Sequence, residues 1–353
     1  MAASARGEFI ERVRDRARSV GASIVFPESA DARVLQAVDA IAAAAIAHPV
    51  LVLDPERPDS HAAARGVGVE VLDPVTDHRR SEIAGHIEAR RKRDISPQEA
   101  ERLASDPLYF AAALVAGGHA DGCVAGATHT TADVLRAALR VIGPAHDIRT
   151  VSSAFYILPP PFRAGRNGMQ GHEVLTFADC AVVPAPTASQ IADIAVAAAA
   201  DRRRIVGDEP RVALLSWSTM GSGRGESVRR VQKALAMLRA RSVDFAVDGE
   251  LQADAALIAD VAARKAHGGV LSGDANVLVF PSLDAGNIAY KLVQRLAGAP
   301  AVGPIMQGLA RPCSDLSRGA VQDDIITVAA ITVLQTVGAE SPRSLEYRRE
   351  RMS

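Results

Sequence analysis

Short apolar runs recur along this chain, each closed by proline, aspartate or glycine and followed by a stretch with helical spacing. No other feature restricts the fold as much. Residues 23–26 stop at Pro27, and residues 50–53 stop at Asp54-Pro55; residues 67–72 make a third run. Between the first two, Asp31 is placed to cap a helix whose apolar positions are Val34, Leu35, Val38, Ile41 and Ala42. Runs this short and apolar predict buried strands. Strands alternating with helices predict an α/β fold with parallel-type sheets flanked by helices. The rhythm resumes after Pro144 and His146-Asp147, with strands expected at 149–158, 174–177, 212–217, 245–247 and 277–280. The expected layout is two α/β domains. Domain I takes residues 1–145 and 303–353, and domain II takes 146–302, inserted in the first.

Charge and cysteine content exclude several classes. The 40 basic and 41 acidic side chains nearly cancel, so no global field points to nucleic acid or an anionic membrane. No apolar run reaches the ~18 residues of a membrane-crossing helix. The N-terminus lacks the apolar centre of a signal peptide. Three cysteines, Cys123, Cys180 and Cys313, lie far apart and are odd in number. They fit a reduced, cytoplasmic compartment better than a disulfide framework. No His/Cys/Asp/Glu cluster has metal-ligand spacing.

Several loops carry candidate chemistry. A charged helix at 81–93 ends in Arg90, Arg91, Lys92 and Arg93, which suit either the helix dipole or a phosphate. Ser96-Pro-Gln-Glu99 has the form of a capping box with proline at the first helical position. The small-residue turn 126–131 opens a helix containing Arg136, and its backbone N–H groups suit an anion. His129, inside that turn, fits a hydrogen-bonded turn residue better than a base. The glycine-rich loop 218–225 matches neither the P-loop nor G-x-G-x-x-G. Asp248 and Glu250 suit acid–base work or the capping of the next helix equally.

The stretch 303–324 concentrates polar groups most sharply. An apolar run passes through a loop with Gly308, Pro312 and Gly319 into an apolar helix. Ser317, Arg318, Asp323 and Asp324 stand at the handover, where open α/β sheets bind ligands. A helix already covering this stretch would set Ser317 and Asp324, seven residues apart, on one face; Gly319 works against that continuity. A serine cap and aspartates favoured by the helix dipole explain the same residues without a ligand. The residues alone leave both readings open.

Taken in order, the motifs resemble the phosphate acetyl/butyryltransferase family. They include Phe26-Pro-Glu-Ser, Asp106-Pro-Leu-Tyr-Phe, Gly126-Ala-Thr-His-Thr-Thr-Ala-Asp and Phe177-Ala-Asp-Cys. They continue with Leu215-Ser-Trp-Ser-Thr-Met-Gly-Ser, Asp248-Gly-Glu-Leu-Gln, Gly303-Pro-Ile-Met-Gln-Gly-Leu, Asp315-Leu-Ser-Arg-Gly and Asp323-Asp-Ile. The resemblance implies two α/β domains with the active-site cleft between them, and a homodimer. It implies the reaction acetyl-CoA + phosphate ⇌ acetyl phosphate + CoA, with coenzyme A as substrate and no tightly bound cofactor. The family pattern places the essential serine, arginine and aspartate on Ser317, Arg318 and Asp324. It places CoA- and phosphate-contacting arginines on Arg90, Arg136 and Arg295. Asp274 stands where members of the family usually carry lysine.

The chemistry such a site needs is consistent with these side chains. A thiol with a pKa near ~8.5 is mostly protonated at neutral pH, so a carboxylate such as Asp324 must take its proton. Ser317 can donate to the developing oxyanion, and Arg318 can grip phosphate with a planar fork that lysine lacks. Cys313 lacks a neighbouring histidine to lower its pKa and reads as packing, not as a nucleophile. Three alternatives remain at this level: a butyryl- or propionyl-transferring relative, an NAD(P)-dependent dehydrogenase of the related isocitrate-type fold, and a non-catalytic CoA-binding module.

Overall fold

The computed structural model describes residues 2–91, 95–163 and 173–339. In chain order its elements are α1 (Ala2–Arg18), β1 (Ser23–Phe26), α2 (Ala32–Ala43), β2 (His48–Val52), α3 (His61–Gly66), β3 (Glu70–Leu72), α4 (Arg80–Arg91), α5 (Pro97–Ala104), α6 (Pro107–Gly117), β4 (Gly122–Ala125) and α7 (Thr131–Ala137). There follow β5 (Ser152–Ile157), β6 (Leu175–Ala178), α8 (Ala188–Ile205), β7 (Arg211–Leu215), α9 (Glu226–Ala240), β8 (Ala246–Leu251), α10 (Ala253–Leu257), α11 (Ala259–Lys265), β9 (Val277–Val279), α12 (Leu283–Leu296), β10 (Ala301–Gln307), β11 (Cys313–Asp315) and α13 (Gln322–Thr336). They form two compact units: residues 12–145 with 309–353, and residues 1–11 with 146–308.

The first unit is built on a five-stranded sheet in the order β11-β4-β1-β2-β3, parallel throughout. β1 and β4 are apolar and buried along nearly their whole length, as strands covered by helices must be. Helices α2, α6 and α13 pack on this sheet. Local signals act where the sequence puts them. Asp31 caps α2 by accepting from the Arg33 N–H at 2.8 Å. Ser96 caps α5 by accepting from the Glu99 N–H at 3.2 Å, with Pro97 in the first turn. The Glu99 carboxylate, expected to complete a capping box, is gripped instead by both prongs of Arg102 at 2.8 and 2.9 Å.

The second unit carries a six-stranded sheet, β10-β5-β6-β9-β7-β8. It is parallel from β6 to β8, but β5 runs antiparallel to both β10 and β6. The parallel arrangement expected holds but for one strand, β5, which runs against its two neighbours, because an apolar run carries no information about direction. The expected boundary at 302/303 also moves. β10 pairs with β5 from Ala301↔Ile157 to Gln307↔Ser152, so residues 303–308 belong to the second unit. Residues 1–11 join it too, with the Phe9 ring 6.2 Å from Tyr156. One part of its core lies under α8 and α9, among Ile191, Ile194, Val212, Leu214, Val231 and Leu238, and another gathers Phe155, Phe177, Leu251 and Phe280.

Candidate active site

In the first unit, β11 lies beside β4 with Cys313 opposite Cys123 and Asp315 opposite Ala125. The Leu316 N–H then donates to the Ala125 carbonyl at 2.7 Å, and the chain leaves the sheet. It turns at once: the Ala320 N–H donates to the Ser317 carbonyl at 2.8 Å, with Arg318 and Gly319 between. Ser317 and Arg318 are exposed on this turn, and Ser317 Oγ accepts from the Gly319 N–H at 3.3 Å. Helix α13 starts only at Gln322, so Ser317 and Asp324 do not share one continuous helix. The turn and the first helical turn bring them to the same strand-to-helix connection instead.

Asp324 sits in the first turn of α13 and accepts from the Val321 N–H at 3.2 Å. Its neighbour Asp323 is committed elsewhere, 2.5 Å from Arg14 Nη2. The Arg14 guanidinium also reaches Thr327 Oγ1 at 3.2 Å.

The turn after β4 departs from expectation. Its N–H groups are already filled from within the protein. Glu28 Oε2 accepts from the Ala127 N–H, and Oε1 accepts from the N–H groups of Thr128 and His129, all within 2.9 Å. Thr128 Oγ1 and His129 Nδ1 bond the same carboxylate at 2.9 and 2.8 Å. Burial alone would raise the Glu28 pKa; the His129 ring and the three backbone donors outweigh it and bring the carboxyl down to about 2. The balance is reasonable, since hydrogen bonds to an ionised group contribute roughly 1.5–3 kcal/mol each. His129 responds in the opposite sense: its bond to Glu28 raises its pKa against the effect of burial. His129 is thus a hydrogen-bonded turn residue, and the anion held by this turn is Glu28. The sequence showed Glu28 only as part of a motif, because its partners lie a hundred residues away.

Asp315, at the end of β11, is 3% exposed, and its Oδ1 has no hydrogen-bond partner among the described residues. Burial lifts its pKa to about 6, with a Thr131 hydrogen bond opposing and the Glu28 charge adding to the rise. Gly126, at φ +107°, makes this packing possible: a Cβ there would lie 2.5 Å from Asp315 Oδ1 and 2.6 Å from the Leu316 nitrogen. A cavity of about 610 Å³ opens beside Glu28, Asp31, Asp54, Arg57, Arg102 and His129. Ser317, Arg318 and Asp324 are not among its lining residues.

The candidate arginines separate. Arg90, at the end of α4, lies against Gly143, which follows the wide π-type turn after α7. Arg136, on α7, is exposed and paired with Asp133 at 2.6 Å. Both belong to the first unit, as do Ser317, Arg318 and Asp324. Arg295 belongs to the second unit, exposed on α12. Lys92 and Arg93 lie outside the described residues, as does the side chain of Arg91.

Other candidates prove structural. Glu250 anchors the glycine-rich loop by accepting from Ser218 Oγ and the Gly221 N–H, both at 2.7 Å. Asp248 accepts from the Val270 and Leu271 N–H groups. Neither caps α10, which starts after Gln252. Asp274 bonds Arg211 at 2.8 Å, so its charge is neutralised locally. Cys313 is buried on β11, and the Cys123 thiol is held well above the usual range by its bond to Cys313 and by burial. Among the described residues, no group of three His, Cys, Asp or Glu side chains is placed to hold a metal.

Known proteins resemble this chain along most of its length. The family model "Phosphate acetyl/butaryl transferase" matches residues 8–333. The chain is 44% identical to the phosphate acetyltransferase of Treponema pallidum over 337 residues, covering 94% of this chain and 99% of that protein. It is 42% identical to the phosphate acetyltransferase of Clostridium acetobutylicum over 332 residues, covering 93% and 98%. The structure of the EutD phosphotransacetylase from Staphylococcus aureus superposes with a TM-score of 0.82 at 35% identity, covering 94% of this chain and 98% of that one. The chain belongs to the phosphate acetyl/butyryl transferase family.

Proposed function

We propose that this chain is a phosphate acetyltransferase that moves acetyl reversibly between coenzyme A and phosphate. What carries the reading is the strand-to-helix connection bearing Ser317, Arg318 and Asp324, in a chain similar to phosphate acetyltransferases over nearly its whole length. In the direction that makes acetyl-CoA, Asp324 takes the thiol proton as sulfur attacks the acetyl carbon. The S–C bond forms, the Ser317 hydroxyl donates to the oxyanion, and the C–O bond to phosphate breaks. Arg318 holds the phosphoryl oxygens through its fork, and phosphate leaves. The proton on Asp324 then passes to solvent. In reverse, a phosphate oxygen attacks the thioester carbon, the C–S bond breaks, and the leaving CoA sulfur takes its proton from Asp324. Both substrates are present together, so no acyl-enzyme forms and no resident cofactor is needed. Arg90 and Arg136 would bind the phosphates of coenzyme A, and Arg295 would serve coenzyme A or acetyl phosphate.

The working protein is proposed to be cytoplasmic and homodimeric. No helix among the described residues is long and apolar enough to cross a membrane. Self-association is supported by α12, which exposes Ile288, Leu292 and Leu296 along one face at four-residue spacing. Release of CoA thiol from acetyl-, propionyl- and butyryl-CoA with phosphate tests the activity. Highest kcat/KM for acetyl-CoA supports the reading, and a preference for butyryl-CoA would replace it with the longer-chain activity. Light scattering on Leu292→Asp, expected to be monomeric, tests the dimer.

A further inference from the structure

Arg33 lies in the first turn of α2, two residues after the cap Asp31. One side of its guanidinium is pinned by Asp31: Nε lies 3.1 Å from Oδ1, and Nη2 lies 2.8 Å from Oδ2. The other side faces backbone carbonyls. Nη1 donates to the carbonyls of Arg318 and Ala320, both at 2.8 Å, and Nη2 donates to the carbonyl of Ala127 at 2.9 Å. One planar group therefore joins the start of α2, the turn held by Glu28, and the turn bearing Ser317 and Arg318. A second tether runs alongside, from Gln322 Nε2 to the Gln36 carbonyl at 3.1 Å.

The geometry is that of a clamp on an otherwise exposed turn. Hydrogen bonds to the carbonyls on both sides of Gly319 fix the peptide planes, and those planes set where Ser317 Oγ and the Arg318 side chain point. Only a guanidinium has enough donors in one plane to hold Asp31 and three carbonyls at once. We propose that Arg33 is a positioning residue for the transfer reaction, orienting Ser317 and Arg318 without touching substrate. The proposal rests on the activity assigned above. Misplacement of reacting groups by about 1 Å can cost about 100-fold in rate, the scale expected when the clamp is lost.

The test compares Arg33→Lys, Arg33→Met and Asp31→Asn with Ser317→Ala and Arg318→Lys in the thiol-release assay. For Arg33→Met, kcat is expected to fall about 100-fold and the KM for phosphate to rise, while the KM for coenzyme A stays within about twofold. Arg33→Lys retains the ion pair with Asp31 but cannot span the carbonyls, so it should show the same pattern with a near-native melting temperature. Asp31→Asn, which frees the guanidinium, should fall between Arg33→Lys and wild type. Should Arg33→Met fail to fold, Arg33→Lys decides. A kcat within about threefold of wild type in folded Arg33→Lys, while Ser317→Ala and Arg318→Lys are inactive, would overturn the clamp and leave the site assignment standing. Full activity in Ser317→Ala and Arg318→Lys would remove the site assignment itself.

Discussion

Replacing Glu28 by glutamine tests the internal anion of the turn after β4. The ordinary glutamate value of 4.5 falls to about 2 in the folded chain. At 1.36 kcal/mol per pKa unit, that drop corresponds to roughly 3 kcal/mol of stability from the charged form. Glutamine keeps one acceptor oxygen for the donors of Thr128 and His129 but turns an NH2 toward the Ala127 N–H. Two donors then face each other in a buried site, which costs about 1–3 kcal/mol and does not depend on pH. The depressed folded pKa sets the sign. Wild type holds the full contribution above the unfolded value near 4.5 and loses it as pH falls through that value toward 2. Glu28→Gln should therefore be destabilised by about 3 kcal/mol or more at pH 7, with the gap narrowing between about pH 5 and pH 2.5. Urea titrations followed by hydrogen exchange in peptides of the first unit read the effect locally, since Trp217 reports on the second. A gap below about 1 kcal/mol at pH 7, or one that does not narrow in acid, would refute the reasoning.

Asp324→Asn should lower kcat by about 100-fold or more with little change in KM, while Asp323→Asn, whose carboxylate is tied to Arg14, should cost far less; steady-state kinetics on the pair separates them. Arg136→Ala should raise the KM for coenzyme A with a smaller effect on kcat, because it removes binding that is equal in ground and transition states. An unchanged KM would contradict that role. Cys313→Ala should keep most activity, since the thiol is buried beside Cys123; trapping of labelled acetyl on Cys313 by mass spectrometry would overturn direct transfer.

What the sequence made legible was local. Asp31, Ser96 and Pro97 act within their own turns, and capping chemistry depends on neighbours two or three residues away. The polar groups at 317–324 were legible as a strand-to-helix handover, but their assignment as a catalytic set came from the family resemblance and is a proposal. Glu28 and Arg33 were not legible, because their partners are supplied by segments far along the chain. Glu28 stood in the sequence only as part of a motif, and nothing local marked Arg33. The antiparallel run of β5 was hidden for another reason: burial selects apolar side chains and says nothing of chain direction.

The Arg211–Asp274 pair makes two distant positions depend on each other. Both side chains are partly buried, at 24% and 30% exposure, and each neutralises the other. Lysine at position 274 alone would set two cations side by side and strand Arg211 without its counter-charge. The two positions are therefore epistatic. A charge swap at both places, Arg211→Asp with Asp274→Lys, should therefore recover much of the stability that either change alone removes.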